Sequence, residues 1–348
     1  MPKGQAINGL PVKSYIFSAV SFNPPVSHLY SYEFASGKLS EILSAQSSDP
    51  LLYLDDTGEL FLFNRTATNS NIVRFIQEDG QYKKKSSHAI PYVLGAPYSV
   101  VRLDQNTIIM SYYGSGEIVT YSLKENYVLA THKINTAPRS FKPQKLLLTE
   151  KNLYVVSHGI NDRYEPDDSQ GVYVFKREKS EIQFAAYDFY PLHATFPQLV
   201  RQNDNELLFV GLCYSMSDSR CKQSMDLFSL VDTKVTQMRD LRTFPYKANG
   251  GYTKGLNGNE FMISGLHDDQ SKAIINVAEK TGEATPVFNF SKNEAGCYLL
   301  DSLPEHKILM VGSESDDGQA GKLIIQVGET KTTLNLPLIP YQGVFIRE

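Results

Sequence analysis

The chain ends in Ile339-Pro340-Tyr341-Gln342-Gly343-Val344-Phe345-Ile346-Arg347-Glu348, a stretch that resembles the opening of a repeat unit without its continuation. Similar stretches occur at Pro97-Tyr98-Ser99-Val100-Val101-Arg102 and at Phe196-Pro197-Gln198-Leu199-Val200-Arg201, and each is followed within a few residues by a second β-rich run. The first segment, from Lys13 to Phe22, resembles such a second strand with no first strand before it. The two incomplete ends predict a ring of repeats, closed by pairing the last strand with the first repeat.

Apolar, β-rich runs recur from one end of the chain to the other, separated by Gly, Pro, Asn, Asp and Ser. Long stretches with helical spacing are absent, so the pattern is typical of an all-β protein. The strongest runs align with one another at Tyr15–Val20, Leu60–Phe63, Ile108–Tyr113, Leu153–His158, Leu207–Leu212, Phe261–Leu266 and Ile308–Ser313. Their spacing of about 50 residues is in the range of propeller blades, and it predicts seven of them.

Each repeat is predicted to form a four-stranded antiparallel blade, with strands A to D running from the centre outward. The first repeat supplies only B (Lys13–Phe22), C (Leu29–Phe34) and D (Lys38–Leu43), so the C-terminal stretch is predicted to be its innermost strand. Strand D is weak in the second repeat, near Tyr82, and is predicted from Ile182 to Phe189 in the fourth. A pair of β-sandwiches is the alternative fold, although it needs no seven-fold period.

The units Leu153-Tyr-Val-Val-Ser-His-Gly159 and Gly171-Val-Tyr-Val-Phe175 resemble repeats of the seven-bladed β-propeller superfamily, loosely those of the bacterial YVTN-repeat and lactonase-like branch. The resemblance covers nearly the whole chain and implies one propeller domain over 1–348, with residues 1–12 as an N-terminal extension. The chain has no Trp, so the WD and kelch signatures are both missing. No family catalytic motif is matched, so no catalytic residue is carried over.

The composition is that of a folded soluble protein, with 41% hydrophobic and 21% charged residues. A formal net charge of -4 gives no argument for binding nucleic acid, and no apolar run approaches the roughly 20 residues that span a bilayer. The thiols of Cys213 and Cys221 are either free or joined in a local disulfide, and Cys297 stands alone. A disulfide would favour a periplasmic or extracellular location, and the cytoplasm is the alternative because the N-terminal stretch has no apolar signal core.

The connections from strand D to the next strand A should share one face of a propeller with the B-to-C loops, at the mouth of the channel. These connections carry cationic and aromatic residues, which we predict to bind a ligand: Arg139, His193, Tyr246, Lys247 and Tyr341. Such groups suit a small anionic or sugar-like ligand, or a protein partner. The alternative interpretation is that the aromatic rings cap the packing between blades while the cations are solvated.

Acidic B-to-C loops are predicted in blades four, six and seven, over residues 161–169, 267–269 and 314–317. They suit Ca²⁺ or a cationic partner, but no Asp-x-Asp-x-Asp-Gly loop is present and solvated hairpin tips explain them equally well. His158, His193 and His267 lack the short spacings of metal sites. We therefore predict neither a metal nor another cofactor.

Two functions remain open. The first is a non-catalytic binding or interaction propeller, bacterial and monomeric, whose partner is a small molecule or a protein. The second is a lactonase-like or other small-molecule hydrolase that uses the same mouth with a divalent metal. The inner strands offer few carboxylates at the level of the mouth, with Glu294 the main one, and this favours binding.

Overall fold

The computed structural model describes residues 12–22, 24–45, 49–65, 70–90, 97–134, 141–161, 165, 167–179, 181–211, 224–240, 247–255, 257, 259–266, 271–290, 296–315 and 320–347. For residues 45, 247–254, 266 and 296–299 it describes the backbone alone. The strands of these residues form seven antiparallel sheets, and each sheet corresponds to one predicted blade.

The first three blades, from the N-terminus, have the following strands. Blade one joins β1 (Val12–Phe22), β2 (Pro25–Glu33) and β3 (Lys38–Ala45) to the C-terminal β29 (Ile339–Arg347). Blade two contains β4 (Leu51–Leu54), β5 (Leu60–Asn64), β6 (Asn71–Glu78) and β7 (Gln81–Ala89). Blade three contains β8 (Pro97–Asp104), β9 (Thr107–Tyr112), β10 (Glu117–Ser122) and β11 (Tyr127–Lys133).

The remaining blades continue in chain order. Blade four contains β12 (Pro143–Leu148), β13 (Asn152–Ser157) and β14 (Gly171–Glu178), with two short outer strands, β15 (Glu181–Ile182) and β16 (Asp188–Pro191). Blade five contains β17 (Gln198–Gln202), β18 (Glu206–Val210), β19 (Ser224–Ser229) and β20 (Lys234–Asp240). Blade six contains β21 (Lys247–Lys254), β22 (Glu260–Leu266), β23 (Lys272–Ala278) and β24 (Ala284–Asn289). Blade seven contains β25 (Gly296–Leu303), a 3₁₀ turn (Pro304–His306), β26 (Ile308–Glu314), β27 (Gly321–Val327) and β28 (Thr330–Leu336).

The C-terminal strand completes the N-terminal blade, as predicted. The sheet order is β29-β1-β2-β3, and the antiparallel register places Ile16 opposite Val344 and Phe17 opposite Gly343. The predicted fold class, an all-β seven-bladed propeller of four-stranded antiparallel blades, is therefore confirmed. Within the described residues, no helix has the length and apolarity that crossing a membrane requires.

Two predictions for outer strands were wrong. The strand of blade two near Tyr82 is not weak, because β7 runs for nine residues. The outer strand of blade four is broken into β15 and β16, which pair separately with β14. An outer strand pairs on one side only, so it can leave the ladder at small cost. Here the intervening segment turns Phe184 and Tyr187 onto the buried ring of Phe175, at 5.4 and 5.6 Å between ring centroids.

The chain divides into two compact units. Unit one comprises Met1–Asn64, Arg74–Lys85 and Phe244–Glu348, and it contains blades one, six and seven with β4 and β5. Unit two comprises Arg65–Val73 and Ser86–Thr243, and it contains blades three, four and five. Each unit has its own buried clusters of aliphatic and aromatic side chains between its sheets.

Bulges interrupt the strand pairing near the start of two innermost strands of unit two, β8 and β12. Tyr98 of β8 and Gln144 of β12 each follow a proline, and the ladder register shifts across each of them. Serines on the neighbouring B strands accept hydrogen bonds from backbone N–H groups near these shifts. Ser111 Oγ accepts from Ser99 N at 3.1 Å, and Ser157 Oγ accepts from Lys142 N at 3.1 Å. The bulges can therefore reorient side chains while their backbone polar groups remain paired.

Candidate functional site

The five residues predicted to bind a ligand have different outcomes. Arg139 and Tyr246 lie outside the described residues. Lys247 and Tyr341 lie in β21 and β29 rather than in D-to-A loops, because these two strands begin at Lys247 and at Ile339. His193 lies in the connection between β16 and β17, as predicted. Their joint role as a binding site stays a prediction.

Only two of these five residues have side chains that the structure describes. Tyr341 belongs to unit one, where its ring meets that of Phe22 edge-on at 6.3 Å between centroids. His193 belongs to unit two, where it contacts a buried carboxylate. The side chain of Lys247 is not described, and its backbone pairs with Leu266.

The acidic loops are described only in part. In the loop of blade four, Asn161 Oδ1 accepts from Glu165 N at 3.0 Å, and Asp167 Oδ1 accepts from Ser169 N at 2.8 Å, so these side chains stabilise turns. His267, residues 316–317 and Glu294 lie outside the described residues, as do Cys213 and Cys221. In the part of the chain that is described, no group of three or more His, Cys, Asp and Glu residues is placed to hold a metal ion.

A different set of residues meets at one end of blades three, four and five. Tyr113 and His158 directly follow the B strands β9 and β13, while Tyr98, Gln144 and Gln198 each follow a proline at the start of an A strand. In an antiparallel blade the end of strand B and the start of strand A lie at the same end of the sheet. We call these five residues, together with Arg65 after β5, the Tyr98 cluster.

The exposed part of the Tyr98 cluster is an aromatic stack with a cation beside it. The rings of Tyr98 and Tyr113 are stacked, with centroids 5.0 Å apart and planes inclined by 29°. Tyr98 is 38% exposed. The guanidinium of Arg65 lies 5.6 Å from the centre of the Tyr98 ring and donates to Pro97 O at 3.4 Å. This arrangement offers a flat aromatic face next to a buried positive charge.

The interior of the cluster is a chain of hydrogen bonds between side chains of three blades. Tyr113 Oη lies 3.2 Å from His158 Nδ1, and His158 Nε2 lies 2.7 Å from Gln198 Nε2. Gln144 Nε2 donates to Gln198 Oε1 at 3.2 Å. The chain therefore connects the aromatic stack of blade three to amide groups of blades four and five.

His158 is a neutral member of this chain. Its side chain is buried, with only 4% of the residue exposed, and the ring of Phe196 meets it edge-on at 5.9 Å. Burial lowers the pKa of His158 to about 3 because the charged imidazolium would lose its hydration. At neutral pH its imidazole therefore has one N–H donor and one acceptor nitrogen.

A second polar pair lies in unit two. His193 Nδ1 is 2.9 Å from Asp226 Oδ1, and Ala194 N donates to Asp226 Oδ2 at 2.7 Å. The Asp226 carboxylate is fully buried on β19, whereas the His193 side chain is 48% exposed. Burial raises the pKa of Asp226, and the hydrogen bonds from Ala194 and His193 act in the opposite direction. A buried carboxylate that orients an accessible imidazole is an arrangement that general bases use.

Sequence reasoning named His193 as a ligand-binding candidate, considered His158 only as a metal ligand, and did not find the partners of either residue. A signal for Tyr98, Gln144 and Gln198 was present, because each follows a proline at the start of a repeat. Asp226 was also detectable, as a single acidic residue in the apolar run of strand β19. Tyr113 and Arg65 carry no such signal, since each is an ordinary polar residue at the end of a B strand.

Comparison with known proteins gives structural similarity only. No protein-family model matches this chain, and no curated protein sequence matches it. A proposed 6-phosphogluconolactonase from Bacteroides fragilis superposes with a TM-score of 0.62 at 12% identity, covering 98% of this chain and 100% of its own. A protein from Lactobacillus plantarum gives a TM-score of 0.63 at 14% identity, covering 97% and 100%.

A proposed 6-phosphogluconolactonase from Bacteroides uniformis gives a TM-score of 0.60 at 10% identity, covering 96% of this chain and 99% of its own. At such low identity a common fold does not carry a common chemistry. The similarity over nearly the whole of each chain agrees with the seven sheets described above. The protein is a seven-bladed β-propeller similar in fold to these lactonase-like structures.

Proposed function

We propose that the protein binds a small sugar-like ligand at the Tyr98 cluster without converting it chemically. The observation that carries this proposal is the continuous arrangement of the exposed Tyr98–Tyr113 stack and the Tyr113–His158–Gln198–Gln144 hydrogen-bond chain. Ligand sites commonly combine an apolar surface with a few placed polar groups, and this cluster has both.

The chemistry of the cluster suits a hydroxylated ring. The C–H face of a sugar packs on an aromatic ring, as Tyr98 and Tyr113 allow, while its hydroxyls exchange hydrogen bonds with amide and imidazole groups. Arg65 adds a guanidinium beside the stack, which supports an anionic group on the ligand, such as a carboxylate or phosphate. Two of the similar structures carry the name 6-phosphogluconolactonase, and a sugar-derived ligand agrees with that name.

Thermal-shift and calorimetric measurements with monosaccharides, sugar acids and sugar phosphates test this proposal. We expect binding by at least one sugar acid or sugar phosphate, and a loss of affinity of about 1–3 kcal/mol in Tyr98→Ala. Tyr127→Ala is the matched control, since Tyr127 is 49% exposed on the outer strand β11. Equal effects of the two substitutions, or no binding across all three ligand classes, would exclude the proposed site.

Hydrolysis of a lactone or ester is a second candidate, favoured by the His193–Asp226 pair alone. In this reaction water attacks the carbonyl carbon, and its proton passes to Nε2 of His193. The C–O bond then breaks, and the leaving oxygen takes that proton. Asp226 would hold His193 with Nδ1 protonated, which leaves Nε2 as the base. Turnover of glucono-δ-lactone by the wild type that Asp226→Asn abolishes would support this function over binding alone.

A further inference from the structure

Lys145 lies on the innermost strand of blade four, between two contacts that join this blade to its neighbours. Gln144 Nε2 donates to Gln198 Oε1 of blade five at 3.2 Å, and Leu146 N donates to Ser99 Oγ of blade three at 3.0 Å. Strand β12 is therefore flanked by β8 and β17, and the backbone of Lys145 lies between them.

The side chain of Lys145 is accessible to water on a strand whose other residues are more buried. Lys145 is the one exposed residue among the six of β12, and its neighbour Leu146 is only 2% exposed. Within the described part of the chain, Lys145 Nζ makes no hydrogen bond and no ion pair. Solvent therefore reaches an amine that no neighbouring group holds.

Carboxylates are scarce on the three innermost strands around Lys145. Asp104, the last residue of β8, is the one acidic residue of β8, β12 and β17. Its Oδ1 atom accepts from Asn106 N at 2.7 Å, so this carboxylate stabilises the turn after β8. A charged amine without a carboxylate beside it gains little to offset the hydration that it loses among protein atoms.

The other cations of these strands are two arginines that point to turns. Arg102 Nη2 donates to Gln105 O at 2.6 Å, and Arg201 Nη1 lies 3.9 Å from Glu206 Oε2. A guanidinium has donors and no acceptor, so neither arginine can accept a hydrogen bond from Lys145.

The protein around Lys145 favours its uncharged form. Burial lowers the pKa of Lys145 from its usual value of 10.5, because the surrounding atoms displace water from the ammonium group. A side chain that is accessible to water and yet poorly hydrated lies in a narrow recess rather than on an open surface. More of the Lys145 amine is therefore unprotonated at neutral pH than in an ordinary lysine, and the unprotonated amine is the nucleophile.

We propose that Lys145 is a nucleophilic amine that captures small aldehydes or ketones as an imine. The amine nitrogen attacks the carbonyl carbon, and both N–H protons of the amine leave with the carbonyl oxygen as water. A C=N bond then joins Nζ to the ligand, and the step uses no oxidant or reductant. Lys145 is not a member of the Tyr98 cluster, so this site does not depend on the proposed function.

Reductive trapping measures this reactivity at each lysine of the intact chain. The protein is incubated at pH 7 with propanal and sodium cyanoborohydride, which converts each imine into a stable secondary amine, and the labelled peptides are quantified by mass spectrometry. We expect Lys145 to be labelled severalfold faster than Lys133, an exposed lysine on the outer strand β11 of the same unit. Labelling of Lys145 at the rate of Lys133 or below it would overturn the proposal.

The pH dependence of labelling separates nucleophilicity from simple access. The ratio of the Lys145 rate to the Lys133 rate cancels the pH dependence of the reductant. We expect this ratio to fall between pH 7 and pH 10, because Lys145 loses its proton at a lower pH than an ordinary lysine and gains less from a further rise. A constant ratio over this range would contradict an activated amine.

Probe size and one substitution test the recess. Oxidised dextran carries aldehydes on a chain too large for a narrow recess, so it should label Lys133 and leave Lys145 unlabelled. With propanal limiting at pH 7, Lys145→Arg should lose most of the label that the wild type takes up, because a guanidinium keeps the charge but forms no imine. Unchanged uptake by a folded Lys145→Arg, or equal labelling of both lysines by dextran, would overturn the proposal. If the variant does not fold, the wild-type rates and the dextran comparison still decide.

Discussion

His193 Nδ1 and Asp226 Oδ1 are 2.9 Å apart and join a half-exposed imidazole to a carboxylate that solvent does not reach. The two residues are separated by 33 positions in sequence. The pair also anchors the connection before β17, because the second oxygen of Asp226 accepts from Ala194 N. The carboxylate therefore has a structural role whether or not His193 acts as a base.

This pair predicts a pH dependence of stability. Burial raises the pKa of Asp226, so the folded protein retains a proton at pH values where the unfolded chain has released it. From the usual value of 3.8 up to the folded-state pKa, the folded state binds more protons, and the free energy of unfolding falls as pH rises. Asp226→Asn keeps groups that can bond Ala194 and His193 and removes this titration.

Urea unfolding of Asp226→Asn and the wild type between pH 4 and pH 7 measures the effect. We expect the variant to gain stability relative to the wild type as pH rises through this range. Asp232→Asn is the control, since Asp232 is exposed in the turn after β19. Parallel pH profiles for the wild type and Asp226→Asn would contradict the assignment.

The buried His158 should make the free energy of unfolding depend on pH in the opposite direction to Asp226. Its pKa is lowered from 6.5 to about 3, so below pH 6.5 the unfolded chain takes up a proton that the folded protein does not. The unfolded state binds more protons in this window, and stability is lost as pH falls from about 6.5 towards 3. Replacement by Asn should lower stability at pH 7 by about 1–3 kcal/mol, because hydrogen-bond partners are left unpaired.

The same replacement should weaken the acid dependence. Unfolding monitored at several pH values from 7 to 4 would show a smaller loss of stability in His158→Asn than in the wild type. If the loss over this range is as large without the imidazole, then His158 does not remain neutral in the folded protein.

The sequence predicted the architecture well because the repeat pattern is local. Strand β9, Thr107–Tyr112, lies within one residue of the predicted run Ile108–Tyr113, and the incomplete first repeat correctly indicated that Ile339–Arg347 completes it. The outer strand of blade four was missed because packing of aromatic side chains on the neighbouring strand interrupts it. Strand pairing at this edge competes with the packing of side chains that are distant in sequence. Local strand propensity does not predict which of the two prevails.

The site was harder to predict because its contacts join distant positions. Tyr113 and His158 are 45 residues apart, and Gln144 and Gln198 are 54 apart, so no motif spacing links them. The prediction treated the segments around Tyr341 and Lys247 as loops, although proline is tolerated in the first residues of a strand. A bulge after such a proline reorients the next side chain, and this effect placed Tyr98 and Gln144 in the cluster.

The close packing of blade one on blade seven predicts that a methyl group added at Gly312 destabilises the protein. Gly312 lies on β26, and a Cβ atom there would approach Pro340 O within 2.7 Å. Gly312→Ala should destabilise the protein by about 1–3 kcal/mol, because both groups belong to packed backbone. Gly114→Ala is the control, since a Cβ at Gly114 meets nothing within 4 Å and should be neutral or slightly stabilising. Equal melting temperatures for the two variants would contradict the close approach.

Truncation of the C-terminal strand β29 should cause the largest loss of stability among these changes. Removal of residues 342–348 leaves β1 without most of its partner, although Tyr15, Ile16 and Phe17 on that strand are fully buried. It also removes the buried Ile346, worth roughly 1.5–3 kcal/mol, and the Gln342 side chain that accepts from Leu52 N of blade two at 3.3 Å.

These losses approach the whole stability of a typical domain, about 5–15 kcal/mol, so we expect the truncated protein to be unfolded or to melt far below the wild type. Arg347→Gln is the matched control, because Arg347 is an exposed residue at the end of the same strand and its ion pair with Glu305 is also exposed. Circular dichroism and calorimetry of the three proteins measure the difference. We expect Arg347→Gln to melt close to the wild-type temperature, because exposed ion pairs contribute little to stability. A truncated protein that also melts at the wild-type temperature would show that β29 contributes little to holding blade one together.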